Sequence, residues 1–318
     1  MHMKYQNKIS DELVPILKAY TSQPAPPEGM PLQEVFRGAL QQMAQQVAVS
    51  STDQLRVENK FFTNSDGLET QLRVFTPLTE TNPKPLLYWI HGGGTMSGLP
   101  EQEDSTLYNL ALELDCVITS VNYRLTPENP YPKPLNDCYE GLLHVVGNAD
   151  EFGINKDKVV VGGGSAGGLL TTSVAIRARN EGGPKILLQA MAYPMLDIRD
   201  TSDSNKEINS VGVWDSWMNH YGFQCYLTNV PESEYGKTVP NMIEDLSNLP
   251  DAFIAVGTMD CLRDESIEYA QKLAAAGNQV ELHIYPGMVH VFDGLAPDAK
   301  ASKDFWSARV AAIKRAFE

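Results

Sequence analysis

A serine between glycines is the strongest chemical signal in this sequence. Residues Gly163–Gly167 read G-x-S-x-G around Ser165, directly after the apolar run Val159–Val161 and before the helical pattern Leu169–Arg179. A strand–turn–helix bend this tight leaves no room for Cβ atoms on either side, and it raises the serine hydroxyl near a helix N-terminus. The alternative is a glycine-rich turn with an incidental serine. The strand and helix around the motif favour a nucleophile.

A second glycine-rich segment, His91-Gly92-Gly93-Gly94, follows the apolar run Leu86–Ile90. Consecutive glycines leave backbone N–H groups unshielded, so that a ligand oxygen can approach them closely. A phosphate-binding loop would need a Gly-Lys-Ser/Thr or G-x-G-x-x-G frame, which is absent here. A plain loop is the other alternative. Together with the downstream serine motif, the segment is better interpreted as part of an oxyanion hole.

A nucleophilic serine needs a base, and His290 is the best placed of the six histidines. It follows the turn Tyr285–Val289 at the end of the last apolar run, and α/β sheets hold their ligands at the carboxyl ends of strands. The other histidines lie at the terminus, in the glycine loop, in a helical pattern, in the aromatic-rich segment and inside a strand run: His2, His91, His144, His220 and His283.

The base needs an orienting acid, and two carboxylates compete for that role. Asp260 lies just past the run Ala252–Val256, whereas Asp264 falls in the first turn of the next predicted helix, where acidic residues are common. Position favours Asp260. The chain order is then serine, acid, histidine, which is the order found in α/β-hydrolases.

Short apolar runs alternate with helical patterns along most of the chain, which predicts βαβ units and a mostly parallel sheet flanked by helices. Asn64–Gly67 predicts a hairpin turn. The predicted strands are Val57–Phe62, Gln71–Phe75, Leu86–Ile90, Cys116–Val121, Val159–Val161, Ile186–Ala192, Ala252–Val256 and Val280–Tyr285.

Two regions depart from this alternation. The first 55 or so residues predict two amphipathic helices separated by the Pro-rich stretch Pro24–Pro31, with Ser10-Asp11 as the cap of the first. Ile198–Val239 has no strand run and is rich in aromatic residues, as in a lid or in ordinary packing. Trp214 and Trp217 are spaced so that both are expected on one side of a helix, where they are candidate substrate contacts.

Composition excludes several function classes. The 318 residues carry a net charge of −15, which gives no general attraction for nucleic acid or for anionic lipid. The first residues, Met1–Asn7, are polar and lack the apolar core of a signal peptide, no apolar stretch is long enough to cross a membrane, and the four cysteines include no CxxC pair. We therefore expect a cytoplasmic protein with free thiols that does not associate with membranes.

These motifs, in this order, resemble those of the bacterial hormone-sensitive-lipase-like carboxylesterases, a branch of the α/β-hydrolases. Besides the segments above, the resemblance includes Tyr123–Glu128 (YRLTPE), Asp260–Glu265 and Pro286–Phe292. It spans nearly the whole chain and implies the α/β-hydrolase fold as a single domain over residues 1–318, with a helical cap formed by about 1–55 and about 198–239.

The resemblance also implies a role for individual residues. Ser165 corresponds to the nucleophile, Asp260 to the acid and His290 to the base, and the N–H groups of Gly93, Gly94 and Ala166 correspond to the oxyanion hole. The family's usual elbow is G-D-S-A-G-G-N, whereas this chain has Gly164 for the aspartate and Leu169 for the asparagine; Val291 stands where the family often has glycine.

The sequence thus predicts a serine esterase for small carboxylic esters with short acyl chains, acting through an acyl-enzyme. No metal or organic cofactor is implied, and homodimers occur among relatives. An amidase or formamidase with the same machinery is one alternative. A non-catalytic ligand-binding protein on the same fold is another.

Overall fold

The computed structural model describes residues 8–22 and 29–318, and within them the strands form one eight-stranded sheet with the order β1-β2-β4-β3-β5-β6-β7-β8. The antiparallel pairs are β1 with β2 and β2 with β4, and the other neighbours are parallel. The strands are β1 (Leu55–Thr63), β2 (Glu69–Pro77), β3 (Lys84–Ile90), β4 (Val117–Val121), β5 (Ile154–Gly164), β6 (Leu188–Ala192), β7 (Asp251–Gly257) and β8 (Val280–Tyr285).

Each predicted strand is present, and the hairpin turn at Asn64–Gly67 is confirmed by the bond from the Asn64 N–H to the Leu68 carbonyl (2.9 Å). The central strands β4 and β6 are buried at every position. A strand buried on both sides must be covered by helices on both faces of the sheet, which explains its unbroken apolar sequence.

The helices alternate with the strands along most of the chain. They are α1 (Val14–Thr21), α2 (Leu32–Val47), α3 (Asp104–Leu114), α4 (Lys133–Gly147), α5 (Ala149–Phe152), α6 (Ala166–Glu181), α7 (Asp203–Glu207), α8 (Ser216–Tyr226), α9 (Tyr235–Thr238), α10 (Arg263–Ala275), α11 (Phe292–Leu295) and α12 (Lys300–Phe317), with short 3-10 helices at Pro100–Glu103, Glu232–Glu234 and Pro240–Met242. Some of them also contact one another, for example α3 with α12 and α4 with α6.

The N-terminal segment forms two helices as predicted, but the predicted cap of the first is wrong. Helix α1 begins one residue after Leu13, and no side chain caps it. The Ser10 N–H instead donates to the Gly287 carbonyl (3.0 Å), which ties this segment to the turn after β8. Most of the predicted Pro-rich break, residues 23–28, lies outside the described residues.

The segment Ile198–Val239 is free of strands, as expected, and contains α7, α8 and α9. It contacts the second N-terminal helix: Phe36 of α2 lies 6.2 Å from Trp214 between ring centroids, and the Tyr221 hydroxyl of α8 donates to Gln33 of α2 (2.8 Å). The two regions that departed from the alternating pattern therefore pack on one another.

All four cysteines are buried and unpaired: Cys116, Cys138, Cys225 and Cys261. None of the helices within the described residues combines the length and apolar character needed to span a membrane.

Candidate active site

The serine motif forms a sharp bend between β5 and α6. Ser165 has φ 56° and ψ −120°, a conformation that L-residues rarely adopt, and its N–H donates to the Ala192 carbonyl on β6 (2.9 Å). A Cβ atom at Gly163 or Gly167 would collide with the carbonyl oxygen of Ile90, the last residue of β3. The neighbouring strand thus requires glycine on both sides of the bend, and this presents the serine at the carboxyl end of the sheet.

His290 and Asp260 meet Ser165 at the same end of the sheet, from the loops after β8 and β7. The Ser165 Oγ lies 2.9 Å from His290 Nε2, and His290 Nδ1 lies 2.8 Å from Asp260 Oδ2. The second carboxylate oxygen of Asp260 accepts from the Leu262 N–H (3.0 Å). The three side chains, far apart in sequence, form one line of hydrogen bonds.

This line of hydrogen bonds determines which atoms carry a hydrogen. A carboxylate only accepts hydrogen bonds, so His290 Nδ1 carries the hydrogen and Nε2 presents a lone pair to the serine hydroxyl. All three residues are buried, with exposed fractions of 5% for Ser165, 1% for Asp260 and 4% for His290. In this arrangement His290 can take the proton of Ser165, and the Asp260 carboxylate can stabilise the imidazolium that results.

The structure separates the two candidate acids. Asp264 lies in the first turn of α10, as predicted, and accepts from the Ser204 N–H (2.7 Å) and from Arg263 Nε (2.6 Å). Partial burial raises the pKa of Asp264, but the bonds from Arg263 and Ser204 outweigh it and hold that pKa below its ordinary value. Asp264 is thus engaged with α7, whereas Asp260 contacts the histidine.

The glycine loop lies directly beside the serine. A Cβ atom at Gly92 would stand 3.5 Å from Ser165 Cβ. Gly93 and Gly94 have φ of 123° and 62°, which favours glycine at both positions. The Gly93 carbonyl accepts from Ser97, from its N–H at 3.0 Å and its hydroxyl at 2.8 Å. These bonds fold the loop back on itself next to the N-terminus of α6, which begins at Ala166.

His91, the first residue of this loop, is not available to accept a proton from the serine. Its ring stacks on Tyr123 (centroids 4.2 Å apart), and the Tyr123 hydroxyl donates to the His91 carbonyl (3.0 Å). Complete burial lowers the pKa of His91 to about 4, against a smaller opposing effect of its bond to the Gly92 carbonyl. His91 therefore stays neutral and has a packing role.

The remaining histidines lie in other parts of the fold. His220 pairs with Asp200 (2.5 Å) and His283 with Glu281 (2.7 Å), and His144 lies in α4. His2 lies outside the described residues.

Tyr193 is a residue of the site that sequence reasoning missed. It follows the last residue of β6 with φ 37°, and its ring meets the His290 ring edge-on, with centroids 4.8 Å apart. Its hydroxyl donates to Asp293 (2.8 Å), and its Cε2 lies 3.2 Å from where a Cβ of Gly164 would be. Tyr193 thus fills the space beside the residue that replaces the family's aspartate. The sequence signal that could have identified Tyr193 was its position directly after a predicted strand.

The two candidate tryptophans differ sharply. Trp214 is 7% exposed and its ring stacks over His290 (centroids 6.0 Å apart), while its Cη2 stands 2.5 Å from where a Cβ of Gly94 would be. Trp217 is 52% exposed. The expectation that both rings share one side of a helix is wrong, because α8 begins only at Ser216, after Trp214. Trp214 adjoins the site, whereas Trp217 is half exposed.

Within residues 8–22 and 29–318, no group of three or more His, Cys, Asp or Glu side chains is placed to hold a metal ion.

Known proteins show the same organisation. Residues 87–294 match the family described as alpha/beta hydrolase fold. Carboxylesterase NlhH of Mycobacterium tuberculosis is 32% identical over 292 residues, which are 89% of this chain and 89% of that protein. Esterase LipI of the same organism is 31% identical over 252 residues, 76% of this chain and 77% of that protein.

Solved structures agree with the sequence relatives. A bacterial heroin esterase superposes with a TM-score of 0.89 and 31% identity, over 98% of this chain and 99% of that chain. Esterase LipW of Mycobacterium marinum superposes with a TM-score of 0.87 and 29% identity, over 98% and 96%. The chain therefore belongs to the hormone-sensitive-lipase-like branch of the α/β-hydrolases and is a carboxylesterase.

Proposed function

We propose that the enzyme hydrolyses small esters of short carboxylic acids through Ser165, His290 and Asp260. The observation that carries this proposal is the buried line from Ser165 Oγ to His290 Nε2 (2.9 Å) and from His290 Nδ1 to Asp260 (2.8 Å). A base within hydrogen-bond reach of a nucleophile, itself oriented by a carboxylate, is the arrangement that nucleophilic acyl transfer needs.

The reaction follows from these contacts in two halves. The Ser165 oxygen attacks the ester carbonyl carbon while its proton passes to His290 Nε2; the tetrahedral intermediate collapses, and His290 gives that proton to the departing alcohol. Water then attacks the acyl-enzyme with His290 again taking the proton, and collapse releases the acid and returns the proton to Ser165. The N–H groups of Gly93, Gly94 and Ala166 stabilise the negative oxygen in both halves.

Covalent labelling tests the nucleophile. A fluorophosphonate should add to one serine, which peptide mass mapping should identify as Ser165. Ser165→Ala should remove the label and lower kcat for p-nitrophenyl butyrate by roughly 10⁴-fold or more, with its melting temperature unchanged. Labelling at another residue, or retained hydrolysis in the variant, would remove the proposal.

Trp214 supports the preference for short acyl chains. Its buried ring lies between Gly94 and His290 and contacts Phe36 of α2, so it fills space directly beside the reacting atoms. A large ring in that place leaves less room for a long alkyl chain. Trp217 is a matched control because it has the same side chain three residues away and is half exposed.

Chain-length profiles of the two variants test this role. Trp214→Ala should raise kcat/KM for decanoyl relative to butyryl esters, by up to about fourfold for each methylene newly accommodated. Trp217→Ala should leave the profile unchanged. Equal profiles in both variants, or a wild-type optimum at twelve or more carbons, would contradict the proposal. A matched anilide in the panel tests the amidase alternative.

The same proposal includes the cap and the assembly state. Helix α2 and the segment Ile198–Val239 contact each other near Trp214. Together with α1 they form the cap over the proposed acyl site. Homodimer formation stays a prediction, which sedimentation of the purified enzyme across a tenfold concentration range would test.

A further inference from the structure

Arg37 of α2 links three segments that are distant in sequence. Its Nε–H donates to the Met96 carbonyl (2.9 Å), and its Nη2–H donates to the Thr126 carbonyl (3.0 Å). Its two terminal nitrogens also bond the Glu128 carboxylate, at 2.9 and 2.6 Å. Its Nη1–H also donates to the Glu34 carboxylate (2.9 Å). The guanidinium, with its fixed fork of donors, thus holds two backbone carbonyls and two carboxylates at once.

One of those carbonyls belongs to the loop that carries Gly93 and Gly94. Two residues before Met96, Gly94 has φ 62°, and the next residue, Thr95, has φ 63°. A β-branched residue in the left-handed region costs on the order of 1–3 kcal/mol, so it persists only where neighbours enforce it. The loop conformation therefore depends on contacts from outside the loop.

Those contacts come from the segment that Arg37 also binds. The Thr126 N–H donates to the Thr95 carbonyl (2.9 Å), and the hydroxyls of Thr95 and Thr126 lie 3.1 Å apart. Met96 and Thr126 are fully buried. Arg37 fastens both sides of this pairing, because it bonds the carbonyl of Met96 on one side and that of Thr126 on the other.

The same helix reaches α8 and Trp214. Phe36 contacts the Trp214 ring, and Gln33 accepts from the Tyr221 hydroxyl. The position of α2 therefore affects the Trp214 ring through Phe36 and the glycine loop through Arg37.

We infer that Arg37 is a positioning residue for the oxyanion hole, coupling the place of α2 to the geometry of the Gly93–Gly94 amides. The inference rests on the proposed function, since it presumes that these amides bind the developing oxyanion. Donors must lie within a few tenths of an ångström of the oxygen's place in the transition state to be effective. Loosening the loop therefore weakens binding of the transition state more than binding of the ester, and lowers kcat rather than raising KM.

A structural ion pair alone would behave differently. The Arg37 and Glu128 side chains are 25% and 53% exposed, and a pair so exposed contributes little to stability. The second ionic partner, Glu34, is 50% exposed. If these exposed ion pairs were the whole role of Arg37, removing Arg37 and removing Glu128 would both have small effects. Glu128→Gln is therefore the matched control, because it removes the charge and leaves both bonds from Arg37 to carbonyl oxygens.

The experiment compares Arg37→Met, Arg37→Lys and Glu128→Gln in the full chain. Each is measured for kcat and KM with p-nitrophenyl butyrate, for inhibition by a trifluoromethyl ketone, and for melting temperature. The ketone forms an adduct with the serine that carries a negative oxygen, so its affinity measures how well the oxyanion hole binds that oxygen. Arg37→Met should lower kcat and ketone affinity by the same factor, about tenfold, with KM within twofold. Arg37→Lys, which has no fork, should lie between it and the wild type, and Glu128→Gln should stay within twofold.

Three outcomes would overturn the inference: a Met variant with a lower melting temperature but unchanged kcat and ketone affinity, an equal loss in Glu128→Gln, or a loss confined to KM. If Arg37→Met does not fold, the Lys variant decides by the same comparison of kcat with ketone affinity. Failure of the proposed function is distinguishable, because it would appear as absent phosphonate labelling at Ser165 in the wild-type enzyme.

Discussion

The two sides of the proposed oxyanion hole are built in different ways. Ala166 is the first residue of α6, and the Ser165 carbonyl before it accepts from the N–H groups of Gly168 (2.9 Å) and Met195 (3.0 Å). Regular elements therefore fix this side. On the other side, Gly93 and Gly94 belong to an irregular loop whose conformation is held by Ser97, by Thr126 and by Arg37.

The difference separates stability from catalysis. A side built from a strand and a helix is as rigid as the core, so a change that disturbs it disturbs folding. A loop held by a few hydrogen bonds can shift while the core stays intact, so a change there costs activity first. The following substitutions test this distinction, beginning with the largest expected effect.

The largest loss is expected at Asp260, the proposed acid. Asp260→Asn should lower kcat by about 10⁴-fold, because an amide in that place favours the wrong histidine tautomer. Asp264→Asn, in the same loop–helix segment, should lower kcat less than tenfold, since Asp264 contacts Ser204 and Arg263. Steady-state kinetics on both variants provide the measurement. Reversed magnitudes would show that the acid is misassigned.

Matched glycine substitutions on the two sides should fail in different ways. In Gly93→Ala the new Cβ would collide with the Ser97 carbonyl oxygen, a contact within one loop. The loop can move, so we expect kcat to fall by about 10²–10³-fold while most of the stability is kept.

Gly167→Ala would instead press on the carbonyl of Ile90, the last residue of the interior strand β3. It should lower the free energy of unfolding by more than about 3 kcal/mol or prevent folding. Urea titration and kcat measured on the same preparations compare the two. A folded, inactive Gly167→Ala together with an unfolded Gly93→Ala would refute the distinction.

A smaller effect is expected at Gly164, where the ring of Tyr193 takes the room of a side chain. A Cβ at Gly164 would lie 3.2 Å from Tyr193 Cε2, so the ring must yield by a few tenths of an ångström. Because that ring contacts His290, Gly164→Ala should lower kcat by about threefold, with little change in melting temperature. A loss beyond about 10²-fold would mean that Ser165 itself had moved.

The smallest effect is expected at Val291, which has φ 51° and ψ 32° directly after His290. Relief of left-handed strain in Val291→Gly, about 1–2 kcal/mol, is partly offset by the flexibility of glycine, about 0.5–1 kcal/mol. The free energy of unfolding should rise slightly, with kcat unchanged. Val289→Ala, two residues earlier and fully buried, should lose about 2 kcal/mol in the same assay.

The sequence predicted those parts of the molecule in which local pattern and fold agree. Each buried strand was visible as an apolar run, and the order of motifs pointed to Ser165, Asp260 and His290, whose side chains contact one another in the structure, because those residues follow strands in a known topology. Their mutual distances were not predictable from spacing, since they depend on which strands become neighbours in the sheet.

The contacts around the site escaped prediction for a physical reason. Trp214 precedes its helix, so helical spacing gave the wrong relation to Trp217. Arg37 contacts residues 59 and 89 positions away, and a polar residue on an amphipathic helix carries no local mark of such partners. Tyr193 is positioned by a left-handed backbone that propensity does not reveal.

The burial of the four cysteines has a practical consequence for measuring motion in this enzyme. Burial raises the pKa of each thiol, and it is the thiolate at an accessible position that reacts with alkylating reagents. The native cysteines should therefore react little with maleimide dyes. A single cysteine introduced by Trp217→Cys, at a half-exposed position of α8, would accept a fluorophore selectively. Its emission during turnover would report directly whether this helix moves as esters enter and products leave.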